Sequence, residues 1–381
     1  MSGHEVPSLL LDDEQKMLSR TAGELIRERA PAARIRAFRN TKDPVGFSRE
    51  LWKEMADLGW IGLQIPEAYQ GMGLGFFDLC VILEQTGREL MPEPFVSTLL
   101  LGTQALLLGG TEAQKRSLLP GVASGELVLA VAYDEPSTPP SSRKSAVVAE
   151  RSADGFELSG ERAHVLDAHV ADRILVLAAT SEAGSTLFLV DPARAEVSTT
   201  RQYRVDGLNA AIVRFDRLSV GADDVVGTLD GGSSLLDAVL DRAAVGLAAQ
   251  MLGASEQAFA DTLAYLKERE QFDVPIGSFQ ALQHRAVSIF TEIALTRSVV
   301  LAAARAIDEK PAEVPRLASL AKSLASETFM LSAKEAIQMH GGIGVTDEHD
   351  IGFYLKRAQA AYMTFGKPSL HRQRWAEIHN Y

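Results

Sequence analysis

The period of the hydrophobic pattern changes twice along the chain, and this limits the possible folds more than any other feature. Over residues 11–125 apolar residues recur at helical spacing, as at Leu51, Met55 and Leu58. Between residues 128 and 228 the period falls to about two, in short runs rich in Val, Ile and Leu. The helical period then returns and lasts to the end. Helices, then strands, then helices predict segregated layers in an α+β fold and not a parallel α/β sheet.

These zones predict three domains: an N-terminal helical domain at 1–125, a middle β-domain at 126–228 and a C-terminal helical bundle at 229–381. The first includes an apolar run at 99–108 that suits a buried helix. The middle zone holds six or so short strands with turn residues between them, which indicates a small β-barrel or sandwich. The last zone contains three long helical runs, at 233–269, 280–307 and 315–339.

Charge and cysteine content exclude several kinds of function. The chain has 38 basic and 50 acidic residues, a net charge of −12, which disfavours nucleic acid and anionic membranes as partners. The single cysteine, Cys80, is too little for a thiolate metal site, and no metal is expected. No stretch reaches about 18 uninterrupted apolar residues, and the N-terminus lacks a secretory pattern. We therefore expect no membrane span and a cytoplasmic location.

The segment REQFDVPIGSFQALQ, residues 269–283, lies between two of the long helical runs. It ends one helix, turns through Pro275 and Gly277, and begins the next. Arg269 at the helix end offers a forked donor for phosphate, and the following Phe-Gln pair offers an apolar surface and an amide. The alternative is an ordinary helical corner with a surface arginine.

A second segment, QMHGGIG at residues 338–344, follows the last long run. Paired glycines after a helix form a C-cap, or they let a ligand approach the backbone closely. On its own this pattern favours the C-cap.

In this order and separation the two segments resemble the acyl-CoA dehydrogenase family. Its members contain Arg-x-x-Phe-Gly-x-Pro-Ile-x-x-Phe-Gln and, further on, Gln-x-x-Gly-Gly-x-Gly. Asp273 stands where the family usually has Gly. Residues 51–75 are similar to the family's N-terminal signature, and residues 340–358 resemble an actinobacterial-type branch linked to steroid and branched acyl-CoA breakdown. The matching residues are Arg269, Phe272, Pro275, Ile276, Phe279, Gln280, Gln338, Gly341, Gly342 and Gly344.

The resemblance implies an acyl-CoA substrate, an FAD cofactor that lies between subunits, and a homo- or hetero-tetramer. It also implies electron-transfer flavoprotein as the electron acceptor. In the family the flavin ring stacks against one subunit's β-domain, while a neighbouring subunit holds the adenine and pyrophosphate end. The residues of this chain that would contribute to the neighbour's FAD are Arg269, Phe272, Phe279, Gln280, Gln338, Gly341 and Gly342.

The sequence departs from the family where a chain would hold its own flavin. The family's Thr-Glu-Pro-x-x-Gly-Ser-Asp loop is replaced by a sequence that begins with Asp134 and keeps only Glu-Pro. The family's Trp-Ile-Thr/Ser-Asn segment reads His164-Val165-Leu166-Asp167 here. Asp134, His164 and Leu166 are therefore the candidate contacts. His164 either stacks on the flavin or only packs within the β-domain.

The catalytic base also differs. Dehydrogenation needs a desolvated carboxylate to remove the α-proton while hydride leaves the β-carbon. The family's Glu-Gly-Thr turn reads Phe365-Gly366-Lys367 here, and Phe cannot accept a proton. By resemblance to the isovaleryl-type branch, Asp241 is the candidate base and the adjacent Arg242 a substrate contact. The alternative is a surface charge pair. Small residues after Asp241 indicate either room for a bulky acyl group or close helix packing.

Three hypotheses follow: a working dehydrogenase that uses Asp241, a family member that pairs with a catalytically complete subunit, and a non-catalytic acyl-CoA binding or scaffold protein. The groups that serve a neighbour's FAD are retained, and the groups that serve the chain's own flavin and base are altered. This pattern favours the heteromer, and the branch that the chain resembles includes α2β2 assemblies with one working FAD site per αβ pair. Dehydrogenase activity, alone or in a heteromer, ranks above binding alone.

Overall fold

A computed structural model of the chain describes residues 10–133, 146–182 and 184–381. The first helical part ends before residue 125. Helix α1 begins at a capping box in which Asp12 and Gln15 exchange hydrogen bonds, and α6 begins in the same way at Thr111 and Gln114. The elements are α1 (Asp13–Arg29), α2 (Arg34–Thr41), α3 (Arg49–Asp57), α4 (Phe76–Arg88), a π-helix (Phe95–Thr103), α5 (Gln104–Gly109) and α6 (Glu112–Ala123).

The apolar run predicted at 99–108 is helical, but its first part is a π-helix that continues into α5. The π-helix is almost entirely buried, and its Ser97 and Thr98 are at 0% exposure. Thr98 and Leu129 exchange side-chain to backbone hydrogen bonds, at 3.1 and 3.4 Å. The π-helix therefore joins the N-terminal helices to the first strand of the sheet.

The middle part forms one mixed sheet. Its strand order is β6-β7-β3-β2-β4-β5-β8, and β1 pairs with β4 in parallel. The runs predicted as strands, at 128–132, 146–149, 156–158, 174–178, 187–190 and 212–215, coincide with six of the eight strands, and β6 and β8 were not predicted. The strands are β1 (Leu129–Ala132), β2 (Val147–Ser152), β3 (Gly155–Leu166), β4 (Arg173–Ala179), β5 (Ser185–Val190), β6 (Val197–Tyr203), β7 (Asn209–Val220) and β8 (Val225–Val226).

The C-terminal part is a helical bundle, and its three long helices agree with the predicted runs within two residues. Helix α7, at 37 residues, is the central element and packs against α4, α8 and α9. The α+β class and the helix–strand–helix order are therefore confirmed. The helices are α7 (Gly232–Glu268), α8 (Gln280–Glu309), α9 (Val314–His340), α10 (Ile351–Met363) and α11 (Pro368–Ile378).

Small residues let α4 and α7 approach backbone to backbone. A Cβ added at Gly87 would lie 2.0 Å from the Gln250 carbonyl oxygen, and one at Gly253 would lie 1.8 Å from that of Glu84. A Cβ at Gly246, on the same helix, would overlap Leu100 at 2.4 Å. Here the small residues after Asp241 serve close packing of α7 against its neighbours.

Candidate functional site

The 269–283 segment forms a hairpin between α7 and α8. Short strands β9 (Glu270–Gln271) and β10 (Val274–Pro275) pair antiparallel around Phe272 and Asp273. Both turn residues have positive φ, 58° and 64°, as a type I′ hairpin turn requires. Position 273 favours Gly for this reason, and Asp is among the residues that tolerate the conformation.

The predicted cofactor-contacting side chains of this hairpin face solvent. Phe272 is 87% exposed, and its ring lies 6.1 Å from that of Phe279 in an edge-to-face arrangement. Arg269 and Gln280 are also exposed. Within the described residues, Arg269 forms no ion pair. The guanidinium and two aromatic rings are therefore available to a group from outside the chain.

The glycine segment ends α9 as an open turn. Gly341 is the C-cap residue with φ 63°, and a Cβ added at Gly341 or Gly342 would meet nothing within 4 Å. Gln338 is exposed, and its carbonyl accepts a hydrogen bond from the Gly341 N–H. The turn is thus both a C-cap and an accessible stretch of backbone, so both interpretations of its glycines apply.

The structure brings the two segments together. Tyr265, one helical turn before Arg269, stacks on His340 with ring centroids 4.5 Å apart. His340 directly precedes Gly341. We call the exposed surface formed by Arg269, Phe272, Phe279, Gln280, Gln338, Gly341 and Gly342 the outer face.

A second candidate region lies on the β-domain. A cavity of about 250 Å³ is lined by Val131, Tyr133, Ala146 and residues 161–166, which include His164 and Leu166. His164 is exposed at φ 59°, where the pairing of β3 with β7 is irregular. Its backbone N–H donates to Gln202 Oε1 at 2.9 Å. Leu166 supplies no hydrogen-bonding side chain to this cavity, and Asp134 lies outside the described residues.

The 365–367 turn, which the resemblance predicts to stand in place of the family's base, is buried at Phe365. Phe365 is 2% exposed and has φ 62°. His371 Nε2 donates to the Phe365 carbonyl at 3.0 Å, and Lys322 Nζ donates to the Gly366 carbonyl at 3.1 Å. Burial, reinforced by the charge of Lys322, lowers the pKa of His371 to about 3, so this ring is neutral. The sequence offered no local signal for Lys322 or His371, which lie on other helices.

Asp241, the candidate base, forms an ion pair with Arg374 of α11. Both of its carboxylate oxygens accept hydrogen bonds from the guanidinium, and the Nη2–Oδ2 distance is 2.9 Å. The Asp241 side chain is 8% exposed and that of Arg374 is 33% exposed. Arg242 turns back on its own helix and donates to the Ala238 carbonyl at 3.1 Å. The partner of Asp241 is 133 residues away, beyond the reach of sequence patterns.

A cavity of about 20 Å³ lies among α4, α7, α9 and α10, and its lining includes Leu247, Met251, Phe329 and Ala361. That is about the volume needed for one water molecule. Among the described residues, no group of three or more His, Cys, Asp or Glu side chains is arranged to hold a metal ion.

Comparison with protein families identifies both helical parts. Residues 12–126 match the N-terminal domain of acyl-CoA dehydrogenases, and residues 230–378 match the C-terminal domain. Acyl-CoA dehydrogenase IpdE2 of Mycobacterium tuberculosis is 30% identical over 360 residues, which cover 93% of this chain and 94% of that protein. Mitochondrial isovaleryl-CoA dehydrogenase of Solanum tuberosum is 27% identical over 374 residues, 96% of this chain and 90% of the relative.

Comparison with solved structures supports the same family assignment. The Tcur3481-Tcur3483 steroid ACAD is 33% identical, with a TM-score of 0.85 over 97% of this chain and 98% of that one. Butyryl-CoA dehydrogenase of Megasphaera elsdenii, at 23% identity, shares the fold with a TM-score of 0.88, over 98% of this chain and 99% of that one. The chain belongs to the acyl-CoA dehydrogenase family of FAD-dependent oxidoreductases.

Proposed function

We propose that this chain is the accessory subunit of a heteromeric acyl-CoA dehydrogenase, in which a catalytically complete partner holds the flavin ring and supplies the base. The observation that carries the proposal is a separation of exposed and buried groups. Arg269 and the Gly341–Gly342 turn are exposed on the outer face, whereas Phe365, which the resemblance predicts to stand in place of the base, is buried. The outer face is therefore open to a ligand, whereas the Phe365 side chain cannot accept a proton.

The outer face fits the diphosphate end of FAD. A forked guanidinium and unobstructed backbone next to glycines suit two adjacent phosphates. The exposed Phe272 and Phe279 rings suit an adenine. When bound, FAD accepts the hydride from the acyl β-carbon, and Arg269, Gly341 and Gly342 would hold its far end.

The buried carboxylates are already engaged. None of them lies free in a cavity within the described residues, and a base must be able to give up its partner before it accepts a proton. Asp241 as the base stays a prediction, but its pairing with Arg374 argues against it. The four buried carboxylates and their partners are Glu93 with Arg34, Asp167 with Ser97, Asp206 with Arg204 and Arg357, and Asp241 with Arg374.

Helix α8 presents the surface for a partner subunit. Val287 and Phe290 are each 61% exposed, and Leu295 is 54% exposed. By length and composition alone, α8 would also cross a membrane. However, Arg285 and Arg297 on α8 form ion pairs with acidic residues of neighbouring helices. An apolar stripe beside such pairs fits packing against another subunit better than contact with lipid.

The same proposal covers substrate, electron acceptor and location. The 33% identical steroid ACAD, named for two components, supports a bulky polycyclic or branched acyl-CoA and a two-component assembly. We assign electron-transfer flavoprotein as the acceptor and the cytoplasm as the location, in keeping with a net charge of −12.

One observation favours the second candidate, a homomeric dehydrogenase with its own flavin. The cavity of about 250 Å³ beside His164 is large enough to hold part of a ring system. In that case each chain would bind one FAD, and Asp241 would have to leave Arg374 during turnover.

Flavin absorbance separates the two candidates. The chain is purified alone and after co-expression with a catalytically complete acyl-CoA dehydrogenase as the candidate partner, and visible flavin bands are measured per chain. We expect a colourless single chain and one FAD per pair in the complex. Arg269→Ala should deplete FAD from the complex. Arg316→Ala should not, because Arg316 lies at the start of α9 and the glycine turn follows the end of that helix. One FAD per chain in the protein alone, together with dehydrogenase activity, would refute the accessory role.

A further inference from the structure

His340 lies at the centre of three contacting rings, called here the stack, in which the Tyr265 ring is within 25° of parallel to it and the His349 ring is tilted by 58°. It is 2% exposed and lies between Tyr265, with centroids 4.5 Å apart, and His349, with centroids 4.7 Å apart. Tyr265 is on the last full turn of α7, His340 ends α9, and His349 lies in the loop before α10. The stack therefore connects three separate segments beneath the outer face.

The hydrogen bonds of the two histidines define their tautomers. His340 Nδ1 lies 2.7 Å from the Ala336 carbonyl, which only accepts, so Nδ1 carries the proton. His349 Nδ1 accepts from the Ile351 N–H at 3.1 Å, so in the neutral ring its proton is on Nε2. Burial lowers the pKa of His340, and the neighbouring His349 lowers it further. The buried His340 ring in contact with its two neighbours forms a compact joint between these segments.

The loop that contributes His349 is fixed from its other side. Arg39 donates two hydrogen bonds to Asp347, at 2.7 and 2.6 Å, and Arg36 donates to Asp350 at 2.7 Å. These arginines belong to α2 of the N-terminal part. His340 is thus held between a helix end and an anchored loop, so its position is well determined.

We propose that His340 is a positioning residue, which keeps the Arg269 end of α7 and the Gly341–Gly342 turn in register so that both reach one diphosphate. The proposal rests on the accessory function of the outer face. Arg269 lies one turn beyond Tyr265, and Gly341 directly follows His340. A Cβ at Gly344 would lie 3.0 Å from the His340 Cβ, so the turn folds back onto this ring. Removal of the ring would let both ligand-binding segments move.

The experiment measures FAD affinity in the flavin-bearing assembly that contains this chain. FAD is removed and titrated back, and binding is followed by quenching of flavin fluorescence. His340→Ala removes the stack, while His340→Phe keeps a ring against Tyr265. Met339→Ala is the matched control, because Met339 is the buried neighbour on the same turn and contributes nothing to the stack. Arg269→Ala tests the outer face itself.

We expect His340→Ala to weaken FAD binding about tenfold, which corresponds to the loss of the aromatic contact with Tyr265 beside Arg269. His340→Phe should stay within about threefold of the unchanged protein. Met339→Ala should also stay in that range, although its urea midpoint falls. If Met339→Ala weakens FAD binding as much as His340→Ala, general loosening explains the effect and the positioning role is refuted. If only Arg269→Ala weakens binding, His340 has no such role but the accessory function stands. If Arg269→Ala changes nothing, both proposals fail.

Discussion

The pairing of Asp241 with Arg374 predicts that substitution of either residue destabilises the fold, and that substitution of both costs less than the sum. The ion pair joins α7 to α11 with the Asp241 side chain 8% exposed. Asp241→Leu leaves the Arg374 guanidinium with a hydrogen bond to Ser319 Oγ at 3.4 Å and the more distant charge of Asp237. Breaking a buried ion pair costs about 3–5 kcal/mol. Because a third of Arg374 is exposed, we expect about 2–3 kcal/mol for each single substitution.

The double variant should lose less stability than the sum of the losses expected for the two single variants. Asp241→Leu with Arg374→Leu leaves no unpaired charge, so the double variant should lose about 2 kcal/mol or less. The resulting coupling energy is about 3 kcal/mol, at the upper end for residues in contact. Urea unfolding measures all four proteins, and Trp375, next to Arg374 on α11, supplies a local fluorescence signal.

Asp241→Asn distinguishes the structural role from the catalytic one. The amide keeps the shape and one acceptor for Arg374 but removes the charge. If Asp241 only pairs with Arg374, this variant loses stability and the assembly keeps its turnover per bound FAD. Additive single effects in the double variant would refute the ion-pair argument. Loss of turnover with unchanged stability would instead support Asp241 as the base.

Three further predictions follow from other contacts. Burial raises the pKa of Asp167 to about 6, so its stability contribution is complete below about pH 4 and is lost as pH rises through 6. Asp167→Asn should therefore stabilise the fold by about 2–3 kcal/mol at pH 7.5 and little at pH 4, in urea titrations. Arg297→Met should destabilise it by about 3 kcal/mol in the same assay, because Glu84 and Glu256 lose their shared cation. Phe290→Glu on α8 should weaken subunit association about a hundredfold, measured by light scattering.

Each of these has an outcome that contradicts it. A stability gain for Asp167→Asn that is equal at both pH values would show that the carboxylate charge is not the cause. An Arg297→Met protein as stable as the original would mean that the acids find other partners. Val148→Glu is the control for Phe290→Glu, since Val148 is exposed on β2, outside α8. Equal effects of the two would exclude α8 as the specific interface.

Local patterns were sufficient to predict the helices and most of the sheet, because helical and strand periods are properties of neighbouring residues. Strand β6 was missed for a physical reason. Its sequence, VSTTRQY, alternates no apolar residues, since it lies at the sheet edge and is mostly exposed. The π-helix also escaped prediction, because a buried apolar run has no period of its own.

The candidate site was predictable only where it depends on chain-local features. The 269–283 hairpin and the glycine turn are short motifs, and both occur where the sequence indicated. The ion pair of Asp241, the hydrogen bonds from Lys322 and His371, and the stack around His340 join residues from different helices. Such contacts leave no mark in the spacing of residues along a single chain.

The difference between the exposed groups of the outer face and the buried groups of the interior has a physical reason in packing as well as in chemistry. On the outer face an exposed side chain such as Arg269 contributes little to the stability of its own chain, which fits the proposed role in binding a ligand or partner. In the interior an empty cavity lowers the stability of the fold, because the atoms that line it lose van der Waals contacts. Phe365 is buried, and Gly87 and Gly253 lie in close contact with opposing backbone, so the chain is tightly packed at these points. In the proposed accessory role, a carboxylate placed at position 365 alone would therefore bury a charge among packed groups, which costs stability and would not by itself restore the reaction.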